Sequence, residues 1–416
     1  MLALTNWFPF LSLPFFSLRN HPASNITNLN IFERAARAGN FEANIKLGVA
    51  CLYGEGLDSM AETAYEMLNR VEEMVGSAFS FAWLLFRPPW SSNVCSKALI
   101  FRRMKAQAEA NAHVWTKKFC GIMFCVAKTL SLQQTAEEKA EAEKWFGMAA
   151  SKGCGDAAYE LYQLRRANAV SFDVGARTEN IRYLRGFEGS QSWNVEVSLC
   201  TEYARGNFAG KGAKAAQHYF LQKVQQNSQL TSAHQLSAAE SSDLDKDGKM
   251  RYILVDWLVE VADLKTFSRE TLYMTVGLVD RYLQRYDVTR KTLQLLGISC
   301  MVIAARFTES EVITIREAAW LTDNTYTYEQ VVRTMGSALC AAGGKLRVPT
   351  TLDFLQLYVA LEGIPQQREE VLHYLSELAL LNIPVGQIPP GLMAAAMVFL
   401  AGAGMKLSDT DCWPDK

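Results

Sequence analysis

The stretch Met250–Val261 reads M-R-Y-I-L-V-D-W-L-V-E-V and decides more about the fold than any other part of the chain. Its apolar residues recur at positions i, i+3, i+4, i+7 and i+11, which are Met250, Ile253, Leu254, Trp257 and Val261. That spacing places them along one side of an α-helix. The period favours the core face of a buried helix, and an apolar groove on the surface is the alternative.

The composition limits the class of protein. The 416 residues suffice for two or three domains with cores of their own. A net charge of −1 implies no basic field for nucleic acid or an anionic membrane, so neither is expected as a partner. The nine cysteines are scattered without a C-x-x-C pair, which indicates reduced thiols in an intracellular protein. No apolar run reaches the roughly 18 residues that a membrane span requires.

Residues 1–30 form an apolar N-terminus to which no fold is assigned. Residues 1–18 are uncharged and rich in Leu and Phe, but they contain Pro9 and Pro14 and lack the basic n-region of a signal peptide. We therefore expect an alternative start or an error in the gene prediction, with a secretory signal peptide as the other possibility.

No catalytic constellation is visible in the sequence. The five histidines are dispersed, and there is no G-x-S-x-G, P-loop or G-x-G-x-x-G pattern. We expect no enzymatic activity, no cofactor and no metal. The segment Asp243–Gly248 (D-L-D-K-D-G) fits the start of a calcium loop, but the twelfth position, where a bidentate Glu is needed, is Leu254. These aspartates are interpreted as favourable charges at a helix N-terminus.

Residues 31–236 are predicted to be helical and to contain degenerate repeats. The phrases Ala35–Asn40 (A-A-R-A-G-N) and Ala149–Cys154 (A-A-S-K-G-C) stand in matching contexts. Both resemble the Sel1-like repeat, in which small residues let paired antiparallel helices approach closely and glycines end them. A weaker third copy runs from Trp193 to Gln217. The irregular spacing supports only a degenerate solenoid, acting as a scaffold or as a plain spacer.

Downstream, several phrases follow one order along the chain. They are V-D-R-Y-L at 279–283, L-Q-L-L-G at 293–297, A-A-R-F at 304–307, L-T-D-N-T-Y at 321–326 and R-V-P-T at 347–350. Together with the opening stretch, this order resembles the cyclin box, and residues 249–349 look like a complete one. The phrases F-E-R-A-A at 32–36 and F-R-P-P-W at 86–90 extend the resemblance to the F-box members of the cyclin family.

The resemblance implies an all-α fold in four parts. These are the unassigned N-terminus at 1–30, the Sel1-like helical-pair region at 31–236, a five-helix cyclin box at 237–348 and a truncated second cyclin fold at 349–416. The capping-box patterns T-I-R-E at 314–317 and T-Y-E-Q at 327–330 predict helices that begin near 315 and 328. Gly343 and Gly344 should end the last box helix.

The second cyclin fold is predicted to contain helices around 351–361, 367–382 and 389–402. The chain then stops about two helices short of a complete cyclin fold, by resemblance to the family. We therefore expect apolar faces of this part to remain uncovered.

In the cyclin family the opening helix carries a shallow groove for short peptides. The resemblance implies that the groove is formed by Met250, Ile253, Leu254, Trp257, Leu293 and Gln294. A target motif of the Arg-x-Leu type would place its leucine among the apolar side chains. Its arginine would reach Glu260, one turn beyond Trp257, through a charge-assisted hydrogen bond. The alternative is that some of these apolar residues simply pack the helical bundle.

Three further expectations follow from the resemblance. Arg251 and Asp280 match a pair that cyclins keep at these places, and we interpret them as a structural ion pair between the first and second box helices.

Kinase-activating cyclins present a basic residue and a glutamate to the kinase. Arg306 stands at the basic position here, but Met335 replaces the glutamate, and a methionine cannot accept the hydrogen bonds offered to an anion. Kinase binding is therefore not expected.

The leading functional hypothesis is a substrate-recognition subunit of a Skp1–cullin–F-box ubiquitin ligase in cell-cycle control, which docks Arg-x-Leu motifs of target proteins. Residues ahead of Ile31 contain no L-P-x-D/E-x-x-x-x-I-L phrase, so Skp1 and cullin are expected as partners only if the full-length protein has an F-box. The implied locations are the nucleus, the centrosome or centriole, and the cytoplasm.

Two alternatives to this hypothesis stay open. One is a regulatory subunit of a cyclin-dependent kinase, which requires a stable complex with that kinase. The other is a scaffold that acts mainly through the repeat region, which requires partners that remain bound without the residues after Lys249.

Overall fold

The computed structural model describes residues 32–53, 61–75, 94–114, 117–132, 135–168, 174–190, 192–204, 249–343, 346, 348–384 and 387–410. Within these ranges the chain is helical and contains no β-strand, so the all-α prediction is confirmed. The N-terminal residues 1–30, the phrase at 86–90 and the calcium-like segment at 243–248 lie outside the described residues. Among the described helices, none combines the length and hydropathy that a membrane span needs.

The upstream region is a succession of helices, each of which packs on the next along the chain. They are α1 (Phe41–Tyr53), α2 (Ala61–Val75), α3 (Val94–Ala110), α4 (Lys117–Ser131), α5 (Ala136–Ser151), α6 (Gly155–Asn168), α7 (Val174–Arg185) and α8 (Trp193–Ala204). Packing between chain neighbours is the arrangement expected of a solenoid built from helical pairs.

The two alanine-rich phrases end their helices by the same turn. In residues 35–40 the N–H of the last residue donates to the carbonyl oxygen of the first at 2.9 Å, and the same bond in residues 149–154 measures 3.2 Å. The fifth residue of each phrase is a glycine with positive φ, +86° at Gly39 and +91° at Gly153. A side chain would be strained there, which explains why glycine ends both helices.

The cyclin box consists of α9 (Lys249–Leu264), α10 (Arg269–Leu283), α11 (Arg290–Thr308), α12 (Ile315–Leu321) and α13 (Tyr328–Ala341). The other four helices all pack on α11, which is buried from Leu295 to Arg306 without a break. The capping boxes at Thr314 and Thr327 are both formed, so the predicted starts of α12 and α13 are confirmed. These caps satisfy backbone N–H groups that the first turn of a helix leaves without partners.

The second cyclin fold contributes α14 (Thr351–Glu362), α15 (Gln366–Asn382) and α16 (Pro390–Thr410), which pack on one another. The first two helices agree with their predicted ranges, and α16 extends beyond the predicted residue 402. Leu392, Phe399 and Leu400 of α16 are exposed, Phe399 to 75%. The described part of α16 therefore carries large apolar side chains in contact with solvent.

The repeat region contacts both cyclin folds. Helix α1 packs on α13 of the cyclin box, and α8 packs on α14 of the second fold. Cys200 of α8 belongs to the same buried cluster as Phe354 and Leu355 of α14. The sequence did not predict either contact.

Candidate functional site

Helix α9 divides its apolar residues between the core and the surface. Leu254, Val255, Leu258 and Val261 are buried, whereas Ile253 is 59% exposed. Met250 and Trp257 lie between these extremes and pack against the edge of the core. The apolar residues that share this helical period therefore do not form one surface, because Leu254 and Val261 face the core and Ile253 faces solvent.

Two of the predicted groove residues are deeper than expected. Leu254 is only 4% exposed and Leu293 only 7%, so the prediction that they line an open groove is corrected. The cause is the close approach of α9 to α11 at Gly297, where an added Cβ would lie 2.8 Å from Leu254 Cδ1. Leu254 and Leu293 can therefore support the surface from below, but they offer almost no area to a ligand.

The remaining groove residues reach the surface. Ile253 and Glu260 are exposed, while Met250, Trp257 and Gln294 are partly exposed. At 3.6 residues per turn, Ile253, Trp257 and Glu260 lie within about 60° of one another around α9. The indole of Trp257 is thus accessible beside an exposed apolar side chain and a carboxylate.

One residue of this face was missed by the sequence reasoning. Leu264 is 67% exposed. Counted from Ile253 as position i, the residues at i+4, i+7 and i+11 are Trp257, Glu260 and Leu264, so Leu264 lies on the same side of the helix. The spacing was readable in the sequence, but Leu264 is the last residue of α9, so its exposure depended on where the helix ends. Ile253, Trp257, Glu260 and Leu264 are called the α9 face below.

The exposed charges of α9 are mostly negative. Asp256, Glu260 and Asp263 are exposed, and Lys249 is the exposed basic residue of this helix. An excess of carboxylates beside apolar side chains favours a ligand that combines a cationic group with an apolar one.

The predicted ion pair is present, and it does more than join two helices. Arg251 Nε lies 2.7 Å from Asp280 Oδ1, and Arg251 Nη2 lies 2.9 Å from Asp280 Oδ2, so the pair is bidentate and buried. Arg251 Nη1 also donates to the carbonyl oxygens of Leu380 and Leu381 at 3.0 and 2.9 Å. These carbonyls belong to the last turn of α15, so one arginine ties both cyclin folds together.

The two positions equated with kinase contacts are not on the surface. Met335 is fully buried in α13 and Arg306 is 2% exposed at the end of α11. Neither side chain is therefore exposed to a partner protein. Helix α1 lies over α13: an added Cβ at Gly336, next to Met335, would meet the Cα of Lys46 and the Cβ of Val49 at 3.8 and 3.9 Å.

Polar contacts hold both ends of α1. Tyr286, which follows α10, donates from Oη to Glu42 Oε1 at 3.4 Å, and Tyr328 Oη of α13 donates to the carbonyl oxygen of Tyr53 at 3.5 Å. Burial raises the pKa of the Cys340 thiol to about 12 and the pKa of Tyr286 to about 12. Both groups are therefore neutral at physiological pH, which suits a closed, largely apolar interface.

Other kinds of site find no support in the described residues. No group of His, Cys, Asp or Glu side chains there could hold a metal ion. The cysteines at positions 51, 120, 125, 154, 200, 300 and 340 are buried free thiols.

Comparisons with known proteins agree with the order of elements. The family description "Cyclin, N-terminal domain" matches residues 217–346, and "Cyclin, C-terminal domain" matches residues 349–416. Cyclin-F of Xenopus tropicalis is 39% identical over 388 residues, which is 90% of this chain and 50% of that protein. Cyclin-F of Homo sapiens is 40% identical over 383 residues, or 90% of this chain and 48% of that protein.

A solved structure is also similar in extent. A protective antigen of uropathogenic Escherichia coli strains that displays an SLR fold covers 93% of this chain and 91% of its own, with 12% identity and a TM-score of 0.23. The chain spans about half the length of the curated relatives it matches.

Proposed function

Since this chain belongs to the cyclin family and its relatives support a role in the cell cycle, we propose that it is a non-enzymatic substrate receptor that holds short peptides on the α9 face. The observation that carries the proposal is the partly exposed indole of Trp257, between exposed Ile253 and exposed Glu260.

The chemistry of this face matches a motif of the Arg-x-Leu type. The leucine of the motif would contact Ile253 and Trp257, and the arginine would pair with Glu260. A fork of guanidinium N–H groups suits a carboxylate, whereas a lysine would supply a point charge only. A short peptide buries little area, so we expect micromolar affinity, about −8 kcal/mol. Trp257 should contribute most, as buried aromatic anchors do.

The proposal includes a place for this receptor in a larger assembly. By resemblance to F-box cyclins, the bound target would be ubiquitinated by a Skp1–cullin–F-box ligase, with an F-box in the full-length protein binding Skp1. Such a protein would act in the nucleus, at the centrosome and in the cytoplasm. Imaging of the fluorescently tagged full-length protein, and co-precipitation of Skp1 with it, would test these two statements.

The experiment is a titration of a fluorescent Arg-x-Leu peptide with the full chain. We expect Trp257→Ala to weaken binding by about 30-fold, the equivalent of about 2 kcal/mol. Glu260→Gln should weaken it less, and more at low salt than at high salt. Tyr252→Ala is the matched control, because Tyr252 is exposed on the same helix but about 100° away from Ile253.

Unchanged affinity in Trp257→Ala, or an equal loss in Tyr252→Ala, would disprove peptide binding on the α9 face. A circular dichroism spectrum of each variant separates loss of binding from loss of the fold.

The rival function, a kinase regulatory subunit, is disfavoured by the α1–α13 contact. In kinase-activating cyclins the positions of Arg306 and Met335 face the kinase, whereas here both side chains are buried and α1 of the same chain lies over α13 next to Met335. We expect no stable complex between the full chain and a cyclin-dependent kinase in a pull-down. Recovery of a stoichiometric complex would favour the rival.

A further inference from the structure

Two cysteines meet beside the turn between α5 and α6. Cys120 lies in the first turn of α4, and Cys154 directly precedes α6. Both converge on one backbone atom, because Ala149 O accepts from Cys120 Sγ at 3.5 Å and from the N–H of Cys154 at 3.2 Å. The two thiols are close enough for each to shift the pKa of the other. Each of the two residues is only 5% exposed.

The surroundings make the two thiols unequal. The neighbouring Cys154 and the charge of Lys152 lower the pKa of the Cys120 thiol and outweigh the opposite effect of burial. The neighbouring Cys120, together with burial, raises the pKa of Cys154. Lys152 is held nearby, since its Nζ donates to the carbonyl oxygen of Val114 at 2.8 Å. By contrast, burial raises the pKa of Cys51, Cys200, Cys300 and Cys340. Cys120 is thus the more reactive nucleophile and Cys154 its neighbour.

We propose that Cys120 and Cys154 are a modification site, which hydrogen peroxide converts into a reversible disulfide. The Cys120 thiolate attacks one peroxide oxygen, an S–O bond forms, the O–O bond breaks, and the released hydroxide leaves as water after taking a proton. Cys154 then loses its proton and attacks Cys120 sulfur, the S–S bond forms, and the second oxygen leaves as water. Two thiols lose two electrons in total, and one peroxide becomes two waters.

The disulfide would change the mechanics of the repeat region. It closes a loop that contains all of α5 and links the start of α4 to the start of α6. A cross-link over such a loop removes disorder from the unfolded chain. We therefore expect the oxidised repeat region to open less readily than the reduced one.

The test uses the full chain, treated with a small excess of hydrogen peroxide and then alkylated, digested and analysed by mass spectrometry without reduction. We expect a linked pair of peptides that contains Cys120 and Cys154 and disappears after treatment with dithiothreitol. Cys120→Ser and Cys154→Ser should abolish the link. Cys125→Ser, a change at another buried cysteine of α4, is the matched control and should preserve it.

The thermal midpoint gives a second readout. Oxidation should raise it by about 5 °C in the unmodified protein and in Cys125→Ser, but not in Cys120→Ser. The proposal is wrong if Cys120 and Cys154 are recovered as alkylated thiols or as sulfinic acids without a link. It is also wrong if Cys120 links mainly to another cysteine. Peptide mapping of the unmodified protein decides between these outcomes even if a variant fails to fold.

Discussion

At the scale of single residues, Arg251 connects more of the molecule than the predicted ion pair with Asp280 alone would. Its guanidinium contacts a carboxylate of α10 and two carbonyl oxygens at the end of α15. All these groups are removed from water, so each must find its partner within the protein. Arg251 therefore helps to fix the position of α15 relative to α9.

Replacing Arg251 should be costly for this reason. We expect Arg251→Met to lower the free energy of unfolding by about 3–5 kcal/mol, because it leaves Asp280 as a buried charge without its partner. Arg269→Ala is the control, since the Arg269–Glu377 pair has a similar distance of 2.9 Å but is exposed. That change should be worth at most about 1 kcal/mol. Urea unfolding measures both, and equal effects would contradict the importance assigned to burial.

At the scale of elements, the α9 face exists because α9 approaches α11 closely. Gly297 provides the space, and Leu254 of α9 fills it. This contact fixes the rotation of α9 about its axis, which leaves Ile253 and Trp257 at the surface. The peptide site is thus a consequence of how two helices pack.

A methyl group at Gly297 should disturb that packing. We expect Gly297→Ala to lower the free energy of unfolding by about 1–3 kcal/mol, because the new Cβ would lie 2.8 Å from Leu254 Cδ1. The same change should alter the fluorescence of Trp257.

The control for this change is Gly147→Ala in α5, where a Cβ would meet nothing within 4 Å. Alanine is favoured over glycine inside a helix, so stability there should rise by about 0.5–1 kcal/mol. Stabilisation by Gly297→Ala would show that α9 and α11 are less closely packed than described.

At the scale of the whole molecule, the repeat region is attached to the cyclin folds at two places, α1 on α13 and α8 on α14. The first contact covers α13 next to Met335 and leaves the α9 face accessible. In this chain the α9 face of the cyclin box is therefore accessible, whereas the surface of α13 is covered by α1.

Two substitutions at Gly336 test the attachment of α1. Gly336→Ala should be tolerated, because its Cβ would make ordinary contacts of 3.8–3.9 Å with Lys46 and Val49. Gly336→Phe is too large for this space and should lower stability by about 1–3 kcal/mol or more. Hydrogen exchange should become faster in residues 41–53 but not in α5. If the amides of residues 41–53 exchange at the same rate in both variants, α1 does not rest on α13.

The sequence by itself determined where α12 and α13 of the cyclin box begin and which turns end two of the repeat helices. These features depend on neighbours within one turn of the chain, such as Thr314 with Glu317 or a glycine that can adopt positive φ. The Arg251–Asp280 pair was also found, because the family resemblance places these two residues together. The link from Arg251 to the end of α15 was not.

Only the tertiary structure decided which apolar residues of α9 are exposed and what covers α13. Periodicity groups Ile253 with Leu254, but the neighbouring helix α11 buries one and leaves the other in water. Helix α1, which begins almost three hundred residues before Met335, packs on α13 beside it, and Cys340 Sγ lies 3.9 Å from the carbonyl oxygen of Glu42. Burial is a property of the partner as well as of the residue, and partners so distant along the chain leave no local pattern.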